Sequence, residues 1–250
     1  MSGHSKWATI KRKKGAQDAK RGKLFSKLIR EITVAAREGG GDPEANLRLK
    51  NAIEKARANN MPLENIERAI RRATGEDSEA AAWEEVTYEG YGPGKVAILV
   101  EALTDNKNRT AADIRHIFTR AGGKLSGAGT VSYLFTRKGL IQISKDVANE
   151  EKVLEAAMEA GAEDVQDGGE TYDIYTDRAD FEKVKSILKE HGLTFENAEL
   201  IMVPSSTVKL QGKDAESVLR MVAMLEDHDD VQSVWANFDI DASEMEAFQE

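Results

Sequence analysis

The spacing of apolar residues changes along this chain between residues 75 and 83. Before that point, apolar side chains such as Leu24, Leu28 and Ile32 recur every three or four positions, which is the period of an amphipathic α-helix. After it, short apolar runs such as 95–103 are bounded by glycine and proline, which is typical of strands. The chain therefore has to form a helical part and a part that contains sheets.

The second part alternates predicted strands and helices in short units, and the predicted hairpins indicate mixed or antiparallel pairing. We expect a multidomain α and α+β protein. It has an N-terminal helical domain and two small α+β sandwich domains with mixed or antiparallel sheets, each with helices on one face. The predicted domains are 1–77, 83–130 together with 205–240, and 131–204 inserted between those two parts. A simple sequential split near residue 145 is the competing arrangement.

Capping residues predict where two of the helices begin. Asp42 and Pro43 follow a run of three glycines, and we expect them to form the N-cap and first turn of the second helix. Asn108 or Thr110 is expected to cap the helix that follows the strand 95–103.

Two glycine-containing stretches predict hairpin turns. The stretch from Gly90 to Lys95 lacks the spacing of a phosphate-binding loop and lies between two predicted strands, so we interpret it as a turn. Lys138 and Gly139 are expected to join the strands 131–136 and 140–144 into a second hairpin.

Charge is distributed unevenly along the chain. Residues 1–75 hold 18 Lys and Arg against 8 Asp and Glu, whereas residues 76–250 hold 17 against 36. The net charge of −9 therefore combines a helical part of +10 with a remainder of −19. Such a contrast indicates a polyanion-binding segment on an acidic body, with contact confined to one face.

The most basic segment is the N-terminus, where Lys11 to Lys14 follow Trp7 and Ile10. Cations attract phosphates regardless of sequence, and an aromatic ring can stack on an unpaired base. The alternatives are a solvated basic tail, and a Trp7 that fastens the tail to the helical core. The candidate nucleic-acid-binding residues are His4, Lys6, Trp7, Lys11, Arg12, Lys13, Lys14, Lys20, Arg21, Lys23, Lys27 and Arg30.

A polar loop follows the apolar strand 95–103 and forms a second candidate site. Its residues Asn106, Lys107, Asn108 and Arg109 precede a predicted helix, and a helix N-terminus suits an anion or an RNA phosphate. The alternative, slightly favoured here, is ordinary capping, in which Asn108 closes the helix and Arg109 pairs locally.

Several classes of function are not supported by the sequence. The chain has no cysteine, its four histidines are scattered, and its acidic cluster 226–230 has the composition of a solvated helix end rather than the spacing of a calcium loop. The longest strongly apolar run, 96–100, is far too short to cross a membrane. We therefore expect no catalytic activity, cofactor, metal, membrane contact or small-molecule substrate, and a cytoplasmic location.

Several stretches resemble the YebC family along essentially the whole chain. The first runs from Gly3 through Asp18 and continues with Lys23, Leu24 and Phe25. The others are Asn60-Met61-Pro62 with 65–70, Tyr88 to Gly94, Thr104-Asp105-Asn106 with 108–110 and 112–115, and Gly129 to Phe135. The resemblance implies one helical and two α+β domains and no established catalytic activity. Family members are commonly described as regulators that bind promoter DNA, and others, including a mitochondrial translational activator of cytochrome c oxidase, resemble ribosomal translation factors.

Three kinds of function follow as hypotheses. The first is a DNA-binding transcriptional regulator that uses the basic arm, and the resemblance favours it. The second is a ribosome-associated factor that binds RNA and eases synthesis through proline-rich stretches. It is favoured modestly by charge, because an acidic body fits poorly around duplex DNA. The third is a protein-interaction scaffold. The expected partner is duplex DNA or ribosomal RNA, with the ribosome itself as a further candidate.

Overall fold

The computed structural model describes Trp7, Ile10, residues 18–75 and residues 83–248, with the side chains of residues 18–20 left aside. Residues 18–75 form three helices, as the apolar periodicity predicts. They are α1 (Asp18–Gly39), α2 (Leu47–Ala58) and α3 (Leu63–Thr74). One hydrophobic cluster joins them, and it includes Leu28 and Ile32 of α1, Leu49 of α2 and Ile66 of α3.

Asn46, rather than Asp42, caps α2. Its side-chain oxygen accepts the N–H of Leu49 at 3.1 Å, and its amide donates to the carbonyls of Ala35 at 2.7 Å and Gly40 at 2.9 Å. Asp42 and Pro43 lie in the preceding turn, so the predicted cap was wrong. Asn46 is the cap because its side chain accepts from an N–H group in the first turn of α2 and also donates to carbonyls at the end of α1.

The remaining described chain builds two four-stranded sheets. The first has the order β3-β1-β2-β9 and the second the order β5-β6-β4-β7, with antiparallel neighbours throughout. The strands of the first sheet are β1 (Glu84–Tyr91), β2 (Ala97–Thr104), β3 (Lys124–Ser126) and β9 (Val231–Ala236). Those of the second are β4 (Phe135–Ser144), β5 (Asp164–Asp167), β6 (Thr171–Asp177) and β7 (Asn197–Pro204). The predicted α+β class with mixed or antiparallel sheets is confirmed.

Helices cover one face of each sheet. The helices of the first unit are α4 (Lys107–Arg120), α7 (Gly212–Asp227) and α8 (Ala242–Phe248), and those of the second are α5 (Glu150–Ala160) and α6 (Phe181–Glu190). A short parallel pair, β8 (Val208–Lys209) and β10 (Phe238–Asp239), flanks the first sheet. The opposite faces of the two sheets turn toward one another, since Trp235 packs against apolar clusters on both.

The first sheet takes its strands from 84–126 and 231–236, and the second from 135–204. The competing split near residue 145 would separate β4 from β6 and β7, which pair with it on either side. The exact domain bounds stay a prediction.

The predicted hairpin around Gly139 was wrong, because β4 runs unbroken from Phe135 to Ser144. Gly139 pairs with Thr176 on one side and Leu200 on the other, in the middle of the sheet. A Cβ at this position would lie 2.3 Å from both the Phe181 ring and the Thr176 hydroxyl. The glycine therefore marks a close approach of α6 to the sheet and not a turn.

Candidate nucleic-acid interface

The structure describes only part of the predicted basic arm. His4, Lys6, Lys11, Arg12, Lys13 and Lys14 lie outside the described residues, as does the side chain of Lys20. Trp7, Arg21, Lys23, Lys27 and Arg30 are described, so the geometry of the interface begins with them.

Trp7 is 1% exposed and lies in the core of the first α+β unit. Its ring centroid is 5.8 Å from that of Phe248 on α8, and Ile10 packs against the same cluster. The predicted alternative that Trp7 fastens the arm to a core describes this arrangement, but the core is that of the sheet unit and not of the helices. In this conformation the indole is not available to stack on a base.

The cations of α1 face an acidic segment, defined here as Glu226 to Asp230. The Lys23 ammonium lies 2.9 Å from the Asp227 carboxylate, and this hydrogen bond raises the pKa of Lys23 above its ordinary value. The Lys27 ammonium donates to the carbonyl of Glu226 at 2.6 Å. Arg21 differs from these two, because its guanidinium is exposed and lies 5.4 Å above the Phe25 ring.

Arg30 makes the most enclosed contact of this group. Its guanidinium donates to the carbonyl of Asp229 at 2.5 Å and lies 3.3 Å from the Asp230 carboxylate. It also lies 4.6 Å from the ring centroid of Trp83, which is a cation–π distance. Trp83 precedes β1, so Arg30 links the helical domain to the start of the first sheet.

Asp230 is the centre of a buried polar network in the first unit. Its carboxylate accepts from Arg109 at 2.9 Å and from the Thr110 hydroxyl at 2.8 Å, and it lies 3.3 Å from the Thr104 hydroxyl. Burial raises the pKa of the Asp230 carboxyl, but hydrogen bonds from Arg109 and Thr110 and the charge of Arg30 outweigh burial, so the pKa is lowered. Asp230 therefore stays ionised although it is 3% exposed.

The second candidate loop makes the contacts of a helix cap. Asn106, rather than Asn108 or Thr110, caps α4, because its side-chain oxygen accepts the N–H of Arg109 at 3.1 Å. Arg109 also pairs with Asp105 at 2.7 Å, as the local-pairing alternative predicts. Lys107 forms an ion pair with Glu84, and Asn108 is exposed. The observed cap lies two positions before Asn108 and four before Thr110, so the predicted cap was wrong, and the Thr110 hydroxyl donates to Asp230 instead.

A cleft of about 490 Å³ brings the two candidate sites together. Its lining comprises Lys23, Arg30, Trp83, Asp105, Arg109, Asp113, Asp227, His228, Asp229 and Asp230. The sequence interpretation of 226–230 as a solvated helix end missed its role as the partner of α1. The complementary charges of the two segments were visible in the sequence, but nothing local indicated that they would meet across about 200 positions.

Among the described residues, no group of three or more histidines and carboxylates is arranged to hold a metal ion. None of the described helices is long and apolar enough to cross a membrane.

Comparison with known proteins gives matches along nearly the whole chain. Residues 5–76 match the model of the TACO1/YebC protein N-terminal domain, and residues 83–238 match that of the TACO1/YebC second and third domain. A protein of Geobacter sulfurreducens named probable transcriptional regulatory protein is 57% identical, with 98% of this chain and 99% of the relative aligned. One of the same name from Rubrobacter xylanophilus is also 57% identical, with 98% of each chain aligned. The crystal structure of a conserved hypothetical protein from Aquifex aeolicus superposes with a TM-score of 0.82 at 52% identity, covering 90% of this chain and 92% of that one.

Proposed function

Because the chain belongs to the TACO1/YebC family, we propose that it is a nucleic-acid-binding regulator of gene expression, acting as a DNA-binding transcriptional regulator. The observation that carries the proposal is the basic run 11–14 on an arm whose Trp7 is fixed in the body. Relatives with 57% identity are named probable transcriptional regulatory proteins, which supports a regulatory role.

The separation of charge supports contact through one face only. The helical part carries +10 and the remainder −19, so a polyanion is attracted to the first and repelled by the second. On α3, Arg71 and Arg72 are exposed and add to the basic surface of the helical domain. The proposed function needs no catalytic step and no cofactor. The proposed location of the protein is the cytoplasm.

A ribosome-associated factor that binds RNA is the second candidate. The acidic remainder of −19 favours it, because a bulky duplex would approach that surface, whereas on a ribosome only the arm need enter. A basic arm attracts phosphates in either setting, so the two candidates differ in the partner and not in the residues of the arm.

Fluorescence anisotropy with a labelled DNA duplex tests the role of the arm. We expect the combined change Lys11→Glu, Arg12→Glu, Lys13→Glu and Lys14→Glu to abolish binding without unfolding the protein. A plot of the logarithm of affinity against the logarithm of salt concentration has a negative slope for the wild type. If the arm makes about four phosphate contacts, these contacts contribute about −3 to −4 to that slope. A flat salt response of the wild type would favour the scaffold hypothesis.

The matched control reverses four exposed cations elsewhere, at Lys152, Arg178, Lys183 and Lys209. This variant has the same net charge as the arm variant, so equal losses in both would show a general charge effect and contradict a role of the arm.

Sedimentation of a cell lysate, with and without nuclease treatment of the DNA, distinguishes the two candidates. Co-migration of the wild type but not the arm variant with ribosomes would favour the translation factor. Absence from ribosomes, together with binding to specific duplexes at physiological salt, would favour the transcriptional regulator.

A further inference from the structure

Three cations of α1 already contact oxygen atoms of the protein itself. Lys23 lies against the Asp227 carboxylate, Lys27 against the Glu226 carbonyl, and Arg30 against the Asp229 carbonyl and the Asp230 carboxylate. Carboxylate and carbonyl oxygens are the acceptors that Lys and Arg would otherwise find on a phosphate backbone. In this conformation the acidic segment 226–230 therefore occupies the surface that a nucleic acid would use on α1.

Several ion pairs and hydrogen bonds join residues 18–75 to residues 83–248. The hydrophobic cluster of the helical domain contains only residues of that domain among the described ones. Besides the contacts of the acidic segment, the ion pairs that cross the boundary among the described residues include Arg48 with Glu85, Lys55 with Glu199 at 3.9 Å, and Lys185 with Glu54 at 3.0 Å. Glu85, Lys55 and Glu54 are the exposed members of these pairs, and exposed ion pairs stabilise weakly and are screened by salt. Lys185 is buried, but it also pairs with Glu182 on its own helix.

The acidic segment remains supported when α1 moves away. Asp230 keeps Arg109, Thr110 and Thr104 as partners within the first α+β unit, so it does not become an unpaired buried charge. Asp227 and Asp229 are exposed carboxylates that water can solvate. Separation therefore mainly exchanges exposed ion pairs for hydrated charges, and a polyanion can compete for the cations.

We infer that the acidic segment 226–230 is an intramolecular phosphate mimic that covers Lys23, Lys27 and Arg30, and that a nucleic-acid backbone displaces it from α1. This inference rests on the proposed function and adds a regulatory step to it. The arm binds first, and the helical domain then separates from the acidic segment and adds its three cations to the contact. The apparent affinity equals the affinity of the open form multiplied by the fraction of molecules that are open.

Weakening the acidic segment tests this inference directly. The variant Asp227→Asn with Asp229→Asn removes two carboxylates that lie near Lys23 while leaving the Asp230 network in place. We expect it to bind a labelled DNA duplex about tenfold more tightly than the wild type, because the open form is more populated. A structured RNA of equal charge, measured in parallel, distinguishes the two sources of the phosphate backbone.

The control is Glu151→Gln with Glu155→Gln on α5. Both side chains are exposed and the change in net charge is the same, so this pair measures the general effect of a less acidic protein, for which we expect a change of about twofold or less. Equal affinities of the two variants, with the wild type still binding, would overturn the phosphate-mimic inference and leave the proposed function intact. If the wild type binds neither nucleic acid, both fail.

Energy transfer between two dyes reports the movement itself. The chain has no cysteine, so Glu67→Cys on α3 and Lys152→Cys on α5 provide two unique and exposed labelling positions. We expect the transfer efficiency to change as nucleic acid is added to saturation. A constant efficiency at full occupancy would overturn the inference, because α1 would then bind without leaving the acidic segment.

Discussion

Glu89 on β1 is a buried carboxylate that organises a loop. It accepts backbone N–H groups of Gly129 at 2.9 Å, Val131 at 2.7 Å and Ser132 at 2.9 Å, although it is separated from them by about 40 positions. Burial raises the pKa of the Glu89 carboxyl, but the backbone donors outweigh burial and the pKa is lowered. The ionised form thus holds the loop 129–132 against β1, an interior strand of the first sheet.

Replacing Glu89 with glutamine should destabilise the protein by about 2–3 kcal/mol at neutral pH, because the amide cannot satisfy all three donors. The lowered pKa adds a pH dependence. The folded state binds fewer protons than the unfolded one, so this stability is fully present above the unfolded pKa and is lost as pH falls through the folded pKa. Urea unfolding at a series of pH values should show a shallower acid dependence in Glu89→Gln. Identical curves for Glu89→Gln and the exposed control Glu151→Gln would contradict this account.

Gly139 allows a close approach of α6 to the sheet. The change Gly139→Ala should destabilise the protein by about 1–3 kcal/mol, because the added methyl group overlaps the Phe181 ring and the Thr176 hydroxyl. Gly127→Ala is the control, since a Cβ there meets nothing within 4 Å. The urea midpoint measures both, and an unchanged midpoint for Gly139→Ala would show that α6 can shift at little expense.

Trp7 and Ile10 join the N-terminal segment to the core of the first α+β unit. Trp7→Ala should lower the stability by about 3–5 kcal/mol, because it removes a large side chain from the core of the first α+β unit. Thermal unfolding measures this, with Tyr133→Ala as the control because Tyr133 is an aromatic residue that is 73% exposed. If Trp7→Ala instead kept its stability and lost nucleic-acid affinity, the stacking interpretation would hold.

At the scale of the whole molecule, polar contacts attach the helical domain to the sheet units. We expect the radius of gyration measured by X-ray scattering to rise at about 1 M salt, where charges are screened beyond about 3 Å, while helical circular dichroism stays constant. Lys23→Ala should lower the salt concentration at which the expansion occurs, because Lys23 pairs with Asp227. Lys50→Ala should leave that salt concentration unchanged, because Lys50 pairs with Glu44 inside the helical domain. Expansion at the same salt concentration in both variants would contradict the attachment described here.

The sequence by itself determined the three helices of residues 18–75 and the distribution of charge. Helix α1 and its buried residues Leu28 and Ile32 follow from a period that arises between near neighbours in the chain. The end of α5 at Gly161 follows from the residue type, because glycine adopts the positive φ of a helix C-terminus without a steric penalty. The same holds for the basic and acidic parts, since net charge depends on composition alone. The resemblance of the motifs to one family was equally visible, and the family models confirm it.

Only the tertiary structure decided which of these groups meet. Arg30 contacts Asp230 across 200 positions, Glu89 reaches Val131 across 42, and Trp7 enters a core built from distant strands and helices. A residue's local pattern sets its own conformation and burial, whereas its partner depends on how complete elements pack. For that reason the sequence predicted the cations of α1 as free for a nucleic acid, and the fold placed an acidic segment against them.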